Sequence, residues 1–339
     1  MKLTKYYLLI GIIISSLLSA LINANPAIQA FEDENYELAK ELFEKDKGSA
    51  ISKLYLGRLE MKNGNLDEAE ELIKSALNMK PNDSVYHFWF ASISGVQAGN
   101  ASIFSAPGYA SDSKKHYMKA VELDPTNIEA LSGLISFYTQ APSIVGGSIE
   151  KAQKLAIKLT ELDRKEGLVT LISIHRKENE TAKELQKAEE LVLSFPNSSE
   201  ALLKAGFSYQ GAKSYEQAFE HFTNASKFKD KLLGGELNKK DKKNEALASM
   251  DALYQIGRNA VLSGIKVEEG VLALESYLKL VPNKNQPSLN WATVRLADLY
   301  FKMGNKEKAV MLTIAAKKDK SDGGPRKIAK KLLKKIKNS

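Results

Sequence analysis

The chain of 339 residues contains no cysteine, two tryptophans, four histidines and nine prolines. Without a thiol it cannot build a disulfide scaffold, a thiolate zinc site, an iron–sulfur cluster or a cysteine nucleophile, and it cannot carry the acyl anchor of a lipoprotein. The hydrophobic fraction of 43% is too high for a disordered chain. The length favours one large or two ordinary globular domains with a buried core.

Acidic residues are scarce at both ends, so the net charge of +8 is unevenly spread. Residues 317–339 hold ten basic and two acidic side chains, and residues 1–30 hold two lysines and no acid. The body between them, residues 31–316, is therefore slightly acidic, with a net charge of −2. Nucleic-acid binding requires basic residues spread over a binding face, so this distribution argues against it.

The first thirty residues have the layout of an export signal. Two lysines precede an apolar run, Tyr6–Ile22, and three alanines follow it: Ala24, Ala27 and Ala30. We predict a signal peptide over residues 1–30, cleaved after Ala30, and a periplasmic location for the body. Left uncleaved, a run of about 17 residues is at the short limit for a membrane span and would anchor the protein in the inner membrane.

After residue 31 the apolar residues follow helical periodicity, and no stretch alternates as a strand would. Small residues and one proline recur at fixed offsets in residues 51–83, namely Leu56, Gly57, Gly64, Ala69, Ala76 and Pro81. Small residues let two helices approach closely, a glycine allows a tight turn, and a proline ends a helix. Comparable sets return six more times up to residue 316, although the set over about 167–196 is degenerate.

This pattern resembles the tetratricopeptide repeat (TPR) family, whose unit is a helix–turn–helix of 34 residues. The resemblance implies an all-α fold, a TPR-like α-solenoid of antiparallel helix pairs over residues 31–316. Residues 317–339 form a basic amphipathic segment, which we predict to be a C-terminal capping helix. A basic helix of this kind can also lie on an anionic membrane.

In TPR proteins the first helix of each unit lines a concave face that binds a protein or peptide. Carried over by position, this implies ten partner-binding candidates: Arg58, Met61, Lys62, Phe88, Phe207, Gln210, Tyr254, Arg258, Trp291 and Phe301. Aromatic and arginine side chains often anchor interfaces. The competing interpretation is that each side chain simply packs against the neighbouring unit.

Two insertions depart from the repeat length. Residues Ala98–Ser111 add about ten residues and Ala141–Gly147 about five, and Ser148 follows as a candidate N-cap. Each insertion could be a structured connection or a partner-binding loop, and the glycine pair at 146–147 could hold an anion. A lysine-rich stretch, Lys229–Asn244, predicts an extended helix end and a solvated loop.

No motif for chemistry is present: the chain has no HExxH, GxSxG, GxGxxG or phosphate-binding loop. We therefore expect no enzyme activity, no cofactor and no metal site. The predicted function is a periplasmic protein–protein interaction scaffold that binds a peptide or helix of a partner in the concave groove. The alternative is a membrane-associated accessory factor for envelope assembly or secretion, held by an uncleaved leader or by the basic tail.

Overall fold

A computed structural model describes residues 25–227 and 239–338. Residues 1–24 of the predicted signal peptide lie outside the described residues, as do residues 228–238 of the lysine-rich stretch. The contacts divide the chain into two compact units, Met1–Leu162 (unit 1) and Asp163–Ser339 (unit 2). No helix among the described residues has the length and apolar character that crossing a bilayer requires.

Unit 1 consists, in its described part, of helices that pack in consecutive antiparallel pairs. They are α1 (Pro26–Glu32), α2 (Tyr36–Glu44), α3 (Ala50–Asn63), α4 (Leu66–Met79), α5 (Ser84–Asn100), α6 (Ala106–Leu123), α7 (Ile128–Gln140) and α8 (Ile149–Leu162). A short 3-10 turn, Ser143–Val145, lies between the last two.

Unit 2 continues the same pairing. Its helices are α9 (Arg164–Lys177), α10 (Thr181–Ser194), α11 (Ser199–Gly211), α12 (Tyr215–Ala225), α13 (Lys239–Ser263), α14 (Val267–Tyr277), α15 (Leu289–Lys302), α16 (Lys306–Lys318) and α17 (Gly323–Lys337). The prediction of an all-α fold of helix pairs is confirmed, including the pair α9–α10 at the degenerate fourth set.

The pair α3–α4 shows why the small residues recur. A Cβ added at Gly57 would lie 2.6 Å from Cγ1 of Ile73, so only glycine allows this approach. Gly64 ends α3 with φ of 87°, a left-handed conformation that glycine adopts at no steric cost. Helix α4 ends before Pro81, as predicted. The packing of α3 against α4 therefore confirms the helix–turn–helix repeat that the sequence predicts for residues 51–83.

The last helix closes unit 2. One face of α17, formed by Pro325, Ala329, Leu332 and Ile336, is buried. It packs against α15 and α16, where Ala329 contacts a cluster with Val294. The prediction of a capping helix is confirmed.

Helix α1 begins within the range predicted as signal peptide. The side chain of Asn25 accepts hydrogen bonds from the backbone N–H groups of Ala27 and Ile28, at 3.0 and 3.4 Å. Ile28 and Ala30 are buried in a cluster with residues of α2 and α3. The cleavage position itself stays a prediction.

We expect Asn127→Ala to lower the free energy of unfolding of unit 1 by about 1–2 kcal/mol. Asn127 Oδ1 accepts from the backbone N–H of Ala130 at 2.9 Å, which caps α7. Its Nδ2 donates to Ser84 Oγ at 2.9 Å, which ties the starts of α5 and α7 together. Urea unfolding followed by circular dichroism measures the change. Asn82→Ala, at an exposed turn position of the same unit, is the control and should unfold at an unchanged midpoint.

Candidate functional site

The first insertion lengthens two helices instead of forming a long loop. Helices α5 and α6 have 17 and 18 residues, whereas α3 and α4 have 14 each. Of Ala98–Ser111, residues 98–100 end α5, residues 106–111 begin α6, and only residues 101–105 connect them. Pro107 lies in the first turn of α6, where a missing N–H costs nothing. The extra residues thus extend this helix pair beyond its neighbours.

The second insertion is a compact connection that requires its glycines. Gly146 has φ of 99° after the 3-10 turn. A Cβ added at Gly147 would lie 1.8 Å from the carbonyl oxygen of Ala141. Ser148 Oγ accepts from the backbone N–H of Lys151 at 3.3 Å, so Ser148 is the N-cap of α8. This segment is a structured connection.

The backbone N–H groups at the glycine pair are already used within the chain. Those of Gly146 and Gly147 donate to the carbonyl oxygens of Ser143 and Pro142, at 2.9 and 3.1 Å. The N–H of Ser148 donates to the carbonyl oxygen of Tyr138 at 2.9 Å. These three backbone donors are therefore not available to an anion, and the group of positive charge beside the glycine pair is the side chain of Lys114.

Both insertions line one cavity of about 680 Å³ between α5, α6 and α7, which we call the α5–α7 cavity. It lies wholly within unit 1. Its apolar and small lining residues are Gly95, Val96, Ala98, Gly99, Ile103, Ala106, Pro107, Ala110, Gly133, Phe137, Ala141, Pro142, Ile144 and Val145.

Small residues account for the space inside the cavity. No atom lies within 4 Å of a Cβ added at Gly99, so glycine there leaves a gap. Gly133 is different, because the ring of Tyr117 lies directly on it, and an added Cβ would be 2.3 Å from Cε1 of that ring. Glycine at position 133 therefore makes room for the Tyr117 ring, whereas glycine at position 99 leaves empty space at the cavity.

The polar groups in the lining are neutral and mostly paired. Ser92 Oγ and the Tyr117 hydroxyl lie 3.1 Å apart, and Gln140 Nε2 donates to Ser136 Oγ at 2.6 Å. Burial raises the pKa of Tyr117 above its usual value, so the phenol is neutral. No aspartate, glutamate, lysine or arginine lines the cavity. A neutral, apolar group suits such a lining, because a charge would lose its hydration without gaining a partner.

Three large apolar side chains beside the cavity face solvent. Ile103 and Phe104, in the connection between α5 and α6, are 83% and 90% exposed. Ile144, in the second insertion, is 93% exposed. Ile103 and Ile144 also line the cavity, so the exposed apolar surface and the cavity are continuous. Clusters of exposed apolar residues often mark interaction sites.

A histidine pair joins the start of α5 to α6. The Nδ1 atoms of His87 and His116 are 2.8 Å apart, and their rings stack at 5.0 Å. His87 Nε2 lies 2.9 Å from the carbonyl oxygen of Pro81, which can only accept, so His87 carries its proton there. When both rings are neutral, His116 therefore donates from Nδ1 to His87 Nδ1. Burial, reinforced by His87, lowers the pKa of His116 to about 4.

In unit 1, the predicted groove residues make contacts within the chain. The Arg58 guanidinium carbon lies 4.2–4.4 Å from three ring centroids, those of Phe31, Tyr55 and Trp89. This arrangement ties α1, α3 and α5 together. Lys62 Nζ lies 4.4 Å from the centroid of the Tyr36 ring.

The other two predicted residues of unit 1 are half-buried. Met61 packs against the core between α3, α4 and α5. Phe88 lies beside Tyr117, with ring centroids 6.0 Å apart. Phe88 is therefore the one of the four that neighbours the α5–α7 cavity.

In unit 2, the predicted polar residues bind one another. Arg258 donates to Oε1 of Gln210, and Gln210 Nε2 donates to Asn259 Oδ1 at 3.2 Å. Arg295, which the repeat positions do not include, donates to the hydroxyl of buried Tyr254 at 2.6 Å. The pKa of Arg258 is lowered by burial and next by the positive charge of Arg295. The bonds of Gln210 thus join α11 to α13, and the bond between Arg295 and Tyr254 joins α15 to α13.

The three remaining aromatic candidates of unit 2 are half-buried and packed. The Phe207 ring lies edge-on to Phe222 at 5.6 Å. Trp291 lies against Gly324, where an added Cβ would be 2.6 Å from the indole ring. Phe301 packs on the core of α13–α16, with Lys335 Nζ 5.2 Å from its ring centroid. Their role in partner binding stays a prediction.

Nothing in residues 25–227 and 239–338 groups three histidine, aspartate or glutamate side chains as a metal site would require. The α5–α7 cavity has no charged group and no nucleophile paired with a base. The geometry thus offers a binding surface made of apolar side chains.

A family model described as tetratricopeptide repeat matches residues 30–87, and the curated proteins contain no match to the chain. Among solved structures, a tetratricopeptide repeat protein from Parabacteroides merdae is 15% identical, covers 86% of this chain and 100% of its own, and has a TM-score of 0.47. The APC/C hetero-tetramer Cut9–Hcn1 is 13% identical over 94% of this chain and 54% of that one, with a TM-score of 0.48. BtubC from P. vanneervenii is 13% identical, covers 64% of this chain and 91% of its own, and has a TM-score of 0.48.

The matched segment spans α2, α3, α4 and the first residues of α5. Proteins with such repeats are typically protein-binding scaffolds without catalytic activity. Residues 30–87 are thus similar to a tetratricopeptide repeat, and the described remainder of each unit consists of further helix pairs and, in unit 2, the last helix α17.

Proposed function

We propose that this protein is a periplasmic interaction scaffold that binds a partner protein by taking apolar side chains of one partner segment into the α5–α7 cavity. The observation that carries the proposal is that both insertions, about forty residues apart in sequence, line this one cavity. Repeat proteins commonly place their insertions on a binding face.

The size and lining of the cavity suit this role. A volume of about 680 Å³ falls within the range of roughly 300–1,000 Å³ typical of ligand sites. The lining has no charged side chain, so it favours aliphatic or aromatic groups over ionic ones. Ile103, Phe104 and Ile144 would be buried by a bound segment, which gains about 25 cal/mol for each Å² of apolar surface.

A primary contact in unit 1 is supported because four of the other candidates already make contacts within the chain. Gln210, Tyr254 and Arg258 hydrogen-bond to side chains of unit 2, and Arg58 is enclosed by three aromatic rings. A partner would have to break these contacts to use them. The cavity needs no such rearrangement. The periplasmic location is supported by the leader-like sequence of residues 1–30.

The test begins with a photo-crosslinking amino acid at position 104 of the full chain, expressed in a bacterium with its own leader. The crosslinked protein is identified, and a synthetic peptide of the crosslinked segment is titrated against the purified chain. We expect Gly99→Leu to weaken peptide binding at least about tenfold, because leucine there would fill an open part of the cavity. Fluorescence anisotropy of the labelled peptide measures the affinity.

Gly108→Leu is the matched control. Gly108 belongs to the same insertion, also has no atom within 4 Å of an added Cβ, and does not line the cavity. It should bind the peptide as the unchanged protein does. Equal affinity of the Gly99→Leu and Gly108→Leu variants, both folded by circular dichroism, would refute the site. A crosslinked lipid in place of a protein would refute the class of partner.

A further inference from the structure

The exposed side of α17 is a strongly basic surface. Between Gly323 and Lys337 this helix has seven basic side chains and no acidic one. Its lysines are Lys327, Lys330, Lys331, Lys334, Lys335 and Lys337, and all are exposed. Within the described residues, none of them pairs with a carboxylate. Lys335 lies over the Phe301 ring, whereas Lys327, Lys330, Lys334 and Lys337 extend into solvent.

The lysines lie opposite the buried face. At about 100° per residue, Lys327, Lys330, Lys334 and Lys337 fall within one narrow sector of the helix surface. Pro325, Ala329, Leu332 and Ile336 fall in the opposite sector, against α15 and α16. The four lysines thus form a straight row about 15 Å long that points away from the core of unit 2.

The apolar stripe of α17 is not available to a bilayer. Leu332 and Ile336 belong to the main core cluster of unit 2, and Ala329 packs beside Val294 and Ala316. Trp291 lies on Gly324 at the start of the helix. A free amphipathic helix inserts its apolar stripe into lipid, but α17 would first have to detach from α15 and α16. The lysine row can contact lipid without that change.

We propose that the lysine row of α17 docks this protein onto an anionic lipid bilayer by charge alone, with the helix still packed on unit 2. A straight row of lysines fits a plane of lipid phosphates, and lysine is a point-charge binder of phosphate. The row has no aromatic side chain for stacking bases, as single-stranded nucleic-acid binders use.

The test is vesicle flotation of the full chain with phosphatidylcholine, with and without phosphatidylglycerol. The readout is the part of the phosphatidylglycerol increment that is lost on changing the lysine row, because Lys2 and Lys5 beside the apolar run Tyr6–Ile22 stay the same in every variant. We expect this increment at low salt and an at least about tenfold loss of affinity at high salt. The variant with Lys327, Lys330, Lys334 and Lys337 changed to glutamine should lose the increment.

A control with the same change in charge replaces four exposed lysines elsewhere, Lys47, Lys80, Lys115 and Lys213, with glutamine. It should keep most of the increment. Loss of the increment in both variants, or in neither, would overturn the lysine row as the docking site. Binding that is equal on both lipids would overturn the anionic surface.

Trp291 separates docking by charge from insertion of the helix. In a Trp89→Phe background it is the one remaining tryptophan, and it contacts Gly324 at the start of α17. We expect its emission to stay unchanged when vesicles bind, since the helix keeps its seat. A shift in emission on binding would show that α17 leaves unit 2 and would overturn docking by charge alone.

Discussion

Changing Gly206 to alanine is expected to lower the free energy of unfolding of unit 2 by about 1–3 kcal/mol, the usual cost of overpacking a core. An added Cβ would lie 2.5 Å from Cδ1 and Cε1 of Phe222. The Phe222 ring is fully buried and packs with Phe207 and with alanines of α13, so it has little room to move. In a Trp89→Phe background, the fluorescence of Trp291 during urea unfolding reports on unit 2.

The same substitution five residues later is the matched control. Gly211 lies at the end of the same helix, α11, and has no atom within 4 Å of an added Cβ. Alanine there should be neutral or stabilise by up to about 1 kcal/mol, because it restricts the unfolded chain. If Gly206→Ala and Gly211→Ala unfold at the same urea concentration, the close approach of α11 and α12 is not required.

Acid is expected to destabilise unit 1 by about 1–3 kcal/mol between pH 6.5 and pH 4.5. The pKa of His116 is about 4 in the folded protein and 6.5 as its ordinary value, so the unfolded chain binds the proton first. The free energy of unfolding therefore has its full value, as far as His116 is concerned, above pH 6.5, and it decreases as the pH falls toward 4. Trp89 fluorescence in a Trp291→Phe background follows unit 1 through urea unfolding at each pH.

His116→Gln should flatten this dependence, because glutamine cannot become charged but can still donate to His87 Nδ1. The carboxylates of unit 1 whose pKa is shifted do not explain a loss of stability between pH 6.5 and pH 4.5. Glu60 and Glu150 have a lowered pKa from lysine partners, so their contributions are lost below about pH 4.5, their ordinary value. His221 also has a lowered pKa from burial, but it lies in unit 2. A His116→Gln variant as acid-sensitive as the unchanged protein would contradict this explanation.

The repeat pattern is enough to predict the helix pairs because it encodes local physics. Gly64 predicts a turn, Pro81 a helix end and Gly57 a close approach of two helices. Each of these features depends only on residues of the same helix pair, α3–α4. The degenerate fourth set still folds as α9–α10, with Asp163 accepting from the Glu166 N–H at 2.9 Å as an N-cap. Apolar periodicity and caps persist where the signature residues do not.

The site was harder to predict because it depends on contacts between distant segments. The sequence shows where the two insertions are, but not that Ile103 and Ile144 line the same cavity. Repeat positions indicate the first helices, but not that Phe31, which precedes the first full unit, covers Arg58. Arg295 does not occupy a repeat position, and its partner, Tyr254, is 41 residues away in the sequence. Such long-range pairs leave no local signal.

The way helix α1 starts bears on how the exported chain would mature. A peptidase cut after Ala30 would remove Ile28 from the core and discard the side chain of Asn25 that caps the helix. The unit would then open with Phe31 at a fresh amino terminus, beside Arg58. A cut after Ala24 would instead leave Asn25 as the first residue and α1 whole. If the leader is cleaved, a cut after Ala24 therefore preserves the contacts of residues 25–30, which a cut after Ala30 would remove.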